Sequence, residues 1–149
     1  MIATRPTHVY EVYIRTTPER LWQAITDGAD TARYFYGTIV SSSWLPGEPL
    51  VYTYPDGSPA ADGVVLEVDP PTRLVHTFHA LWDDDTTADR PHRMTWQITQ
   101  LGDTCRLVVT HDEFEGETAT FHSVQGGMSV ILSGLKTLLE TGQPLEIRG

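Results

Sequence analysis

Chemistry in a chain of this size would have to come from its histidines, its one cysteine or its clustered carboxylates. Six histidines are present. His76 and His79 lie three apart in a stretch that reads as a strand, so they point to opposite faces and do not form a local chelating pair. His111 sits in "THDEF" beside Asp112 and Glu113. It shares an inward-facing alternation with Leu107 and Val109, where burial would tune an imidazole for acid or base work. A structural hydrogen bond near the sheet edge is the competing and favoured role for His111, and the same holds for His76. Cys105 adjoins Arg106 on a strand, with no helix N-terminus to lower its pKa, and reads as a packing residue. Asp83, Asp84 and Asp85 read as a solvated turn. Neither a nucleophile elbow nor a metal-ligand spacing appears, and Gly126 and Gly127 lie within a helical stretch rather than after a strand, as a dinucleotide loop requires. No catalytic residue, metal or cofactor is expected.

Aromatic residues are the more informative class. Trp44, Tyr52, Tyr54, Phe78, Trp82, Trp96, Phe114 and Phe121 fall on or near one proposed face. Their rings can bury an apolar molecule while O–H and N–H groups orient it.

The elements that would position them follow from periodicity. His8 to Arg15 alternates, with Tyr10, Val12 and Ile14 on one face, and predicts a strand. "TTPERLWQAITD" predicts a helix capped by Thr17 with Pro18 at its first position. "ADTARYFYG" predicts a second, shorter helix ended by Gly37. From Thr38 to His111, turn signals at Pro46, Pro55, Asp69, Asp83 and Gly102 separate β-rich runs into an antiparallel meander. Five triplets should share its inner face: Leu50, Tyr52, Tyr54; Val64, Leu66, Val68; Leu74, His76, Phe78; Met94, Trp96, Ile98; and Leu107, Val109, His111, unless a bulge inverts one. Glu117 to Thr141 predicts a long helix with Phe121, Met128, Leu132, Leu135 and Leu139 on one stripe, ended by Gly142 and Pro144. Its internal glycines, Gly126, Gly127 and Gly134, each cost about 1 kcal/mol relative to alanine, so close packing or room for a ligand should compensate. Strands in sequence with segregated helices indicate an α+β fold, a curved antiparallel sheet wrapped around the final helix.

Composition narrows the partners. Twenty acidic against ten basic residues give a formal charge of -10, which repels phosphate backbones and anionic membranes. Nucleic acid is therefore not an expected partner. No stretch approaches the roughly 18 apolar residues that span a bilayer, and "MIATRPTHVYEVYI" lacks a signal-peptide core. With a lone cysteine, the expectation is one soluble, cytoplasmic domain over residues 1–149 without membrane insertion.

"TTPERLWQAITD", "GVVLEVDPPTRLVHTF", "CRLVVTHDEF" and "GGMSVILSGLKTLLETGQPL", in that order, resemble the SRPBCC superfamily of START-like, helix-grip proteins. Within it, the branch named for the activator of the heat-shock-protein ATPase is the most similar. The resemblance covers His8 to Leu145 and implies seven strands gripping a long C-terminal helix, with a mostly apolar cavity between them. It also implies lipids, polyketides, sterols or similar hydrophobic molecules as ligands. Where many relatives resemble "GW", this chain reads Gly126, Gly127, Met128, which replaces an indole with a flexible thioether. The site expected on this basis comprises Trp44, Tyr52, Tyr54, His76, Phe78, Trp96, His111, Phe121, Gly127 and Met128. In it Trp96, Phe78, Tyr52 and Phe121 give apolar contact, Met128 an adaptable wall, and His76 or His111 a polar anchor. The alternatives are a polyketide cyclase or dehydratase-like enzyme using His111, and a chaperone-interacting protein. A homodimer through Tyr34, Phe35 and Tyr36 is compatible with the sequence, and so is a gating role for those three rings.

Overall fold

The computed structural model describes residues 5–147. Seven strands, β1 (His8–Ile14), β2 (Ile39–Ser42), β3 (Pro49–Thr53), β4 (Pro59–Asp69), β5 (Arg73–Ala80), β6 (His92–Leu101) and β7 (Thr104–Asp112), form one antiparallel sheet. Their spatial order is β1-β7-β6-β5-β4-β3-β2. The consecutive strands β1 and β2 thus lie on opposite edges. The chain crosses between them through α1 (Pro18–Thr26) and α2 (Gly28–Thr31). A single-turn α3 (Asp84–Thr87) joins β5 to β6, and α4 (Ala119–Thr141) closes the fold. Together they form the helix-grip fold, a curved sheet around a long C-terminal helix. No helix of the described residues is long and apolar enough to cross a membrane.

Local chemistry sets the helix ends. Thr17 Oγ1 accepts the Arg20 N–H at 3.1 Å, with Pro18 at the first helical position, where its missing N–H costs nothing. Thr118 Oγ1 accepts the Phe121 N–H at 3.1 Å, and Asp89 accepts both the N–H and the hydroxyl of Thr120. These bonds satisfy two otherwise orphaned donors of α4. Gly142, at φ 77°, ends α4 in the left-handed conformation.

The core lies between the inner sheet face and α4. Trp96, Leu107, Val109, Leu74, Met94 and Ile98 meet Met128, Ile131, Leu132, Leu135 and Leu138 there, all of them buried. Gly134 answers part of the glycine question. A Cβ added to it would lie 3.3 Å from the Tyr34 Cβ, so the missing side chain lets α4 approach the segment after α2. Nothing lies within 4 Å of the corresponding position at Gly126, and no packing explains that residue.

Three expectations are corrected. Val64, Leu66 and Val68 do not share the inner face: Val65 is fully buried, whereas Leu66 is 47% exposed. The pairing of β4 with β5 steps from Val65↔His76 to Glu67↔Val75, leaving Leu66 as the extra residue of a bulge that restores Val68 to the inner side. The second helix stops at Thr31 instead of running to Gly37. Thr31 Oγ1 accepts the Val40 N–H and donates to the Thr38 carbonyl, Thr38 donates to the Phe35 carbonyl, and Tyr36 (φ 53°) and Gly37 (φ 73°) are left-handed. Side-chain bonds to the backbone therefore outcompete the helical ladder over this segment. Asp83 is not merely part of a solvated turn, because its carboxylate accepts the Thr86 N–H at 2.7 Å and caps α3.

Candidate functional site

Between α4 and the β3–β7 part of the sheet lies a cavity of about 420 Å³. Four α4 residues form one wall: Val124, Gly127, Met128 and Ile131, at i, i+3, i+4 and i+7. The sheet supplies Tyr52 from β3, Ala60 and Ala61 from β4, Phe78 from β5, Met94 from β6 and His111 from β7. Ala60 is the extra residue where the β3–β4 register steps from Tyr52↔Ala61 to Thr53↔Pro59, so consecutive small side chains lie along one wall. Phe35, Tyr36 and Thr38 from the segment after α2, together with Tyr54, Trp82 and Ser123, complete the lining. The exposed Tyr36, Trp82 and Ser123 mark the rim, where the Tyr36 hydroxyl donates to the Gly127 carbonyl at 3.3 Å. Inside, Phe35 stacks on Tyr52 with centroids 4.6 Å apart.

The volume falls within the range of small-molecule pockets. Sealed and dry, a void of this size would cost on the order of 10 kcal/mol by the scaling of core-truncation mutants, comparable to the whole stability of a domain. Filling it, or opening it to solvent, relieves that cost.

A histidine cluster backs the cavity. His76, Met94, His111 and His8 are cross-strand partners in one row over β5, β6, β7 and β1. The Trp96 indole N–H donates to His76 Nε2 at 3.1 Å, which leaves Nδ1 as the protonated nitrogen, donating to the Thr77 carbonyl at 2.8 Å. Both ring nitrogens of His76 are thus engaged. His92 Nε2 and His111 Nδ1 share a 2.7 Å hydrogen bond, and His92 stacks on Phe114 at 4.2 Å. Burial pulls the His76 pKa down to about 4 and that of His92 to about 3. His111 is held well below its ordinary value, first by burial and then by the neighbouring His92. All three imidazoles are neutral near pH 7.

Of the residues singled out in the sequence, Tyr52, Tyr54, Phe78, His111, Gly127 and Met128 lie together on the wall. Trp44, His76, Trp96 and Phe121 do not. Trp96 and His76 satisfy each other in the core, Trp44 is half-buried at φ 58° after β2, and Phe121 stacks on His8 at 4.0 Å. Tyr34 and Phe35 are 6% exposed, which removes them from any exposed aromatic face and leaves Tyr36. Cys105 is buried and donates to the Thr16 carbonyl, in keeping with a packing role. Sequence reasoning overlooked Val124 and Ile131, although their helical spacing from Met128 was available. It had no comparable signal for Ala60 and Ala61, whose type says nothing about a cavity.

The family model described as activator of Hsp90 ATPase homolog 1-like protein matches residues 15–140. The chain belongs to that family. Its members share the SRPBCC architecture found here. A crystal structure of a protein from Mesorhizobium loti is similar at 22% identity and a TM-score of 0.76, over 90% of this chain and 96% of that one. The solution structure of the Aha1 dimer from Colwellia psychrerythraea is similar at 17% identity and a TM-score of 0.73, over 92% and 98% of the two chains. An HSP90 activator from Plasmodium falciparum gives 17% identity and a TM-score of 0.72, over 89% and 95%. At these identities the structures share the fold. No curated protein matches the chain in sequence.

Proposed function

We propose that this protein binds a hydrophobic or aromatic small molecule between the sheet and the C-terminal helix. The observation that carries the reading is the cavity of about 420 Å³ lined by Phe35, Tyr52, Phe78, Met94, Met128 and Ile131, with a rim of amphipathic rings. Such a wall gives area-proportional burial, and its two methionines adapt to shape. A Cβ added at Gly127 would already touch the Tyr36 ring at the rim, 3.5 Å from its hydroxyl, so a larger side chain there would fill the mouth. The test uses the neutral dye N-phenyl-1-naphthylamine, whose fluorescence rises in apolar surroundings. The wild-type chain should bind it saturably, and Gly127→Leu should lose binding at least tenfold while unfolding at an unchanged or higher temperature, because leucine favours helix over glycine. Unchanged dye binding in that variant would exclude the cavity as the site.

The pocket histidine bears on the enzyme alternative. A general acid or base works best with a pKa near the operating pH, and burial holds His111 far below it. At neutral pH this imidazole is a hydrogen-bonding group, which favours binding over acid–base turnover. The family name and two of the structural neighbours keep a chaperone partner as a second reading. Retention of an Hsp90-type ATPase on immobilised protein would support it, and failure to retain it with or without ATP would dispose of it. A homodimer, as in the Colwellia structure, would be read from the solution mass.

A further inference from the structure

Filling the cavity requires a wall to move. Phe35, Tyr52, Phe78, Met94, Met128 and Ile131 on its lining are each at most 6% exposed, so a guest large enough to occupy the space has no ready path past them. Gly126 stands beside that wall, exposed within α4, with nothing within 4 Å of an added Cβ. It weakens the helix with no gain in packing. We propose that the N-terminal part of α4, residues 119–127, is a lid that unwinds as far as Gly126 and Gly127 to admit a small molecule, while the rest of the helix stays docked. The inference rests on the small-molecule reading above for its cargo and adds the route by which the cavity is filled.

The two parts of α4 are held by different forces. From Met128 onward the helix buries Met128, Ile131, Leu132, Leu135 and Leu138, and Gly134 sits against Tyr34, so detachment there would expose a continuous apolar stripe. Before the glycine pair only Thr120, Phe121 and Val124 are buried. Polar latches from other elements hold this part instead. His8 Nε2–H donates to the Phe121 carbonyl at 2.9 Å, the Tyr10 hydroxyl to the Gln125 carbonyl at 3.1 Å and the Tyr36 hydroxyl to the Gly127 carbonyl at 3.3 Å, while Asp89 accepts the N–H and the hydroxyl of Thr120. Water replaces such bonds on opening at a small net cost, which makes the latch reversible.

The glycines set how far the opening runs. Glycine regains more backbone freedom on unwinding than any other residue, so Gly126 and Gly127 favour the open segment and the buried stripe beyond them stops it. Of the α4 residues on the cavity wall, Ser123 and Val124 leave with the lid, whereas Met128 and Ile131 stay. Unwinding therefore opens one end of the cavity without dismantling it. The Tyr36 hydroxyl, which meets Gly127 at the rim, marks the boundary between the moving and the fixed parts.

The experiment combines stopped-flow binding of N-phenyl-1-naphthylamine with native-state amide exchange, both on the full chain. Neither Gly126 nor Tyr10 lines the cavity, so substitutions there act on the lid and leave the wall intact. Gly126→Ala should slow dye association and dye release together, each about fivefold, because alanine disfavours the unwound segment by that factor, with the equilibrium affinity unchanged within about twofold. Tyr10→Phe, which removes a latch, should speed both by at least about twofold. In the unliganded wild type the amides of Ser123, Val124 and Gln125 should exchange at least about tenfold faster than those of Leu132, Leu135 and Leu138. Dye rates unchanged in both variants, an affinity change without a change in rates, or equal protection of the two sets of amides would each overturn the lid while leaving the cavity function standing. Failure of the dye to bind would remove the small-molecule reading, and the exchange comparison would then decide by itself whether the segment opens.

Discussion

Mild acid should unfold this protein through its buried histidines before its carboxylates titrate. His76, His92 and His111 are at most 1% exposed and neutral in the fold, two of them with pKa values of about 4 and about 3 and the third held well below the ordinary value of 6.5. Asp112 partly opposes the effect at His92, while His8 reinforces it at His92 and His111. Because each folded pKa lies below the unfolded one, the unfolded chain binds the extra protons. Stability is therefore full above about pH 6.5 and falls as the pH drops toward 4. Each histidine contributes a slope of about 1.4 kcal/mol per pH unit in that window, and three together about 4. A domain stabilised by roughly 5–15 kcal/mol would then lose most of its margin by about pH 4.5. Glu11, Asp56 and Glu140, whose pKa values are lowered by their hydrogen bonds, lose their contribution only as the pH falls from the ordinary carboxylate values of 4.5 and 3.8 toward the lowered ones, at and below the acid end of this window. The assay is urea denaturation followed by tryptophan fluorescence at half-unit steps from pH 7.5 to 4.5. His76→Gln should reduce the slope by about one proton. A stability that stays level between pH 7 and pH 5 would refute the reasoning.

Glycine substitutions give the remaining expectations. Gly126→Ala should raise the unfolding free energy by about 1 kcal/mol in chemical denaturation, since the position is exposed, lies within a helix and has nothing within 4 Å of an added Cβ. Gly63→Ala should lower it by at least about 2 kcal/mol, because the new Cβ would sit 1.9 Å from the Thr77 carbonyl oxygen and the β4–β5 backbone would have to separate. Gly134→Ala, whose Cβ meets Tyr34 at 3.3 Å, should fall between the two by the same measurement.

Much of this architecture is written in short-range chemistry. The alternations of β1, β6 and β7, the Thr17 cap with Pro18, and the stripe from Phe121 to Leu139 are local signals that the tertiary structure obeys. Bulges are where that reading fails. One extra residue, Leu66, inverts the face of half a strand, and its position depends on the β5 partner rather than on β4 alone. The segment after α2 failed for a related reason. Thr31 and Thr38 trade helical bonds for contacts with β2 and the turn before it, so Phe35 reaches the cavity from a stretch that reads as helix. Half of the aromatic site was legible from side-chain type. Trp96 and His76 were inward-facing as expected, yet their mutual hydrogen bond consumes the polar groups that made them attractive as ligand anchors. Type and periodicity place a side chain on a face of the sheet, whereas partner choice on that face decides whether it meets a ligand or its neighbour.

Native mass spectrometry of the purified chain, before and after saturation with N-phenyl-1-naphthylamine, tests the central claim most directly. The account predicts one non-covalent adduct per chain that is lost on denaturation and absent from Gly127→Leu. The unliganded mass alone in both samples would contradict it.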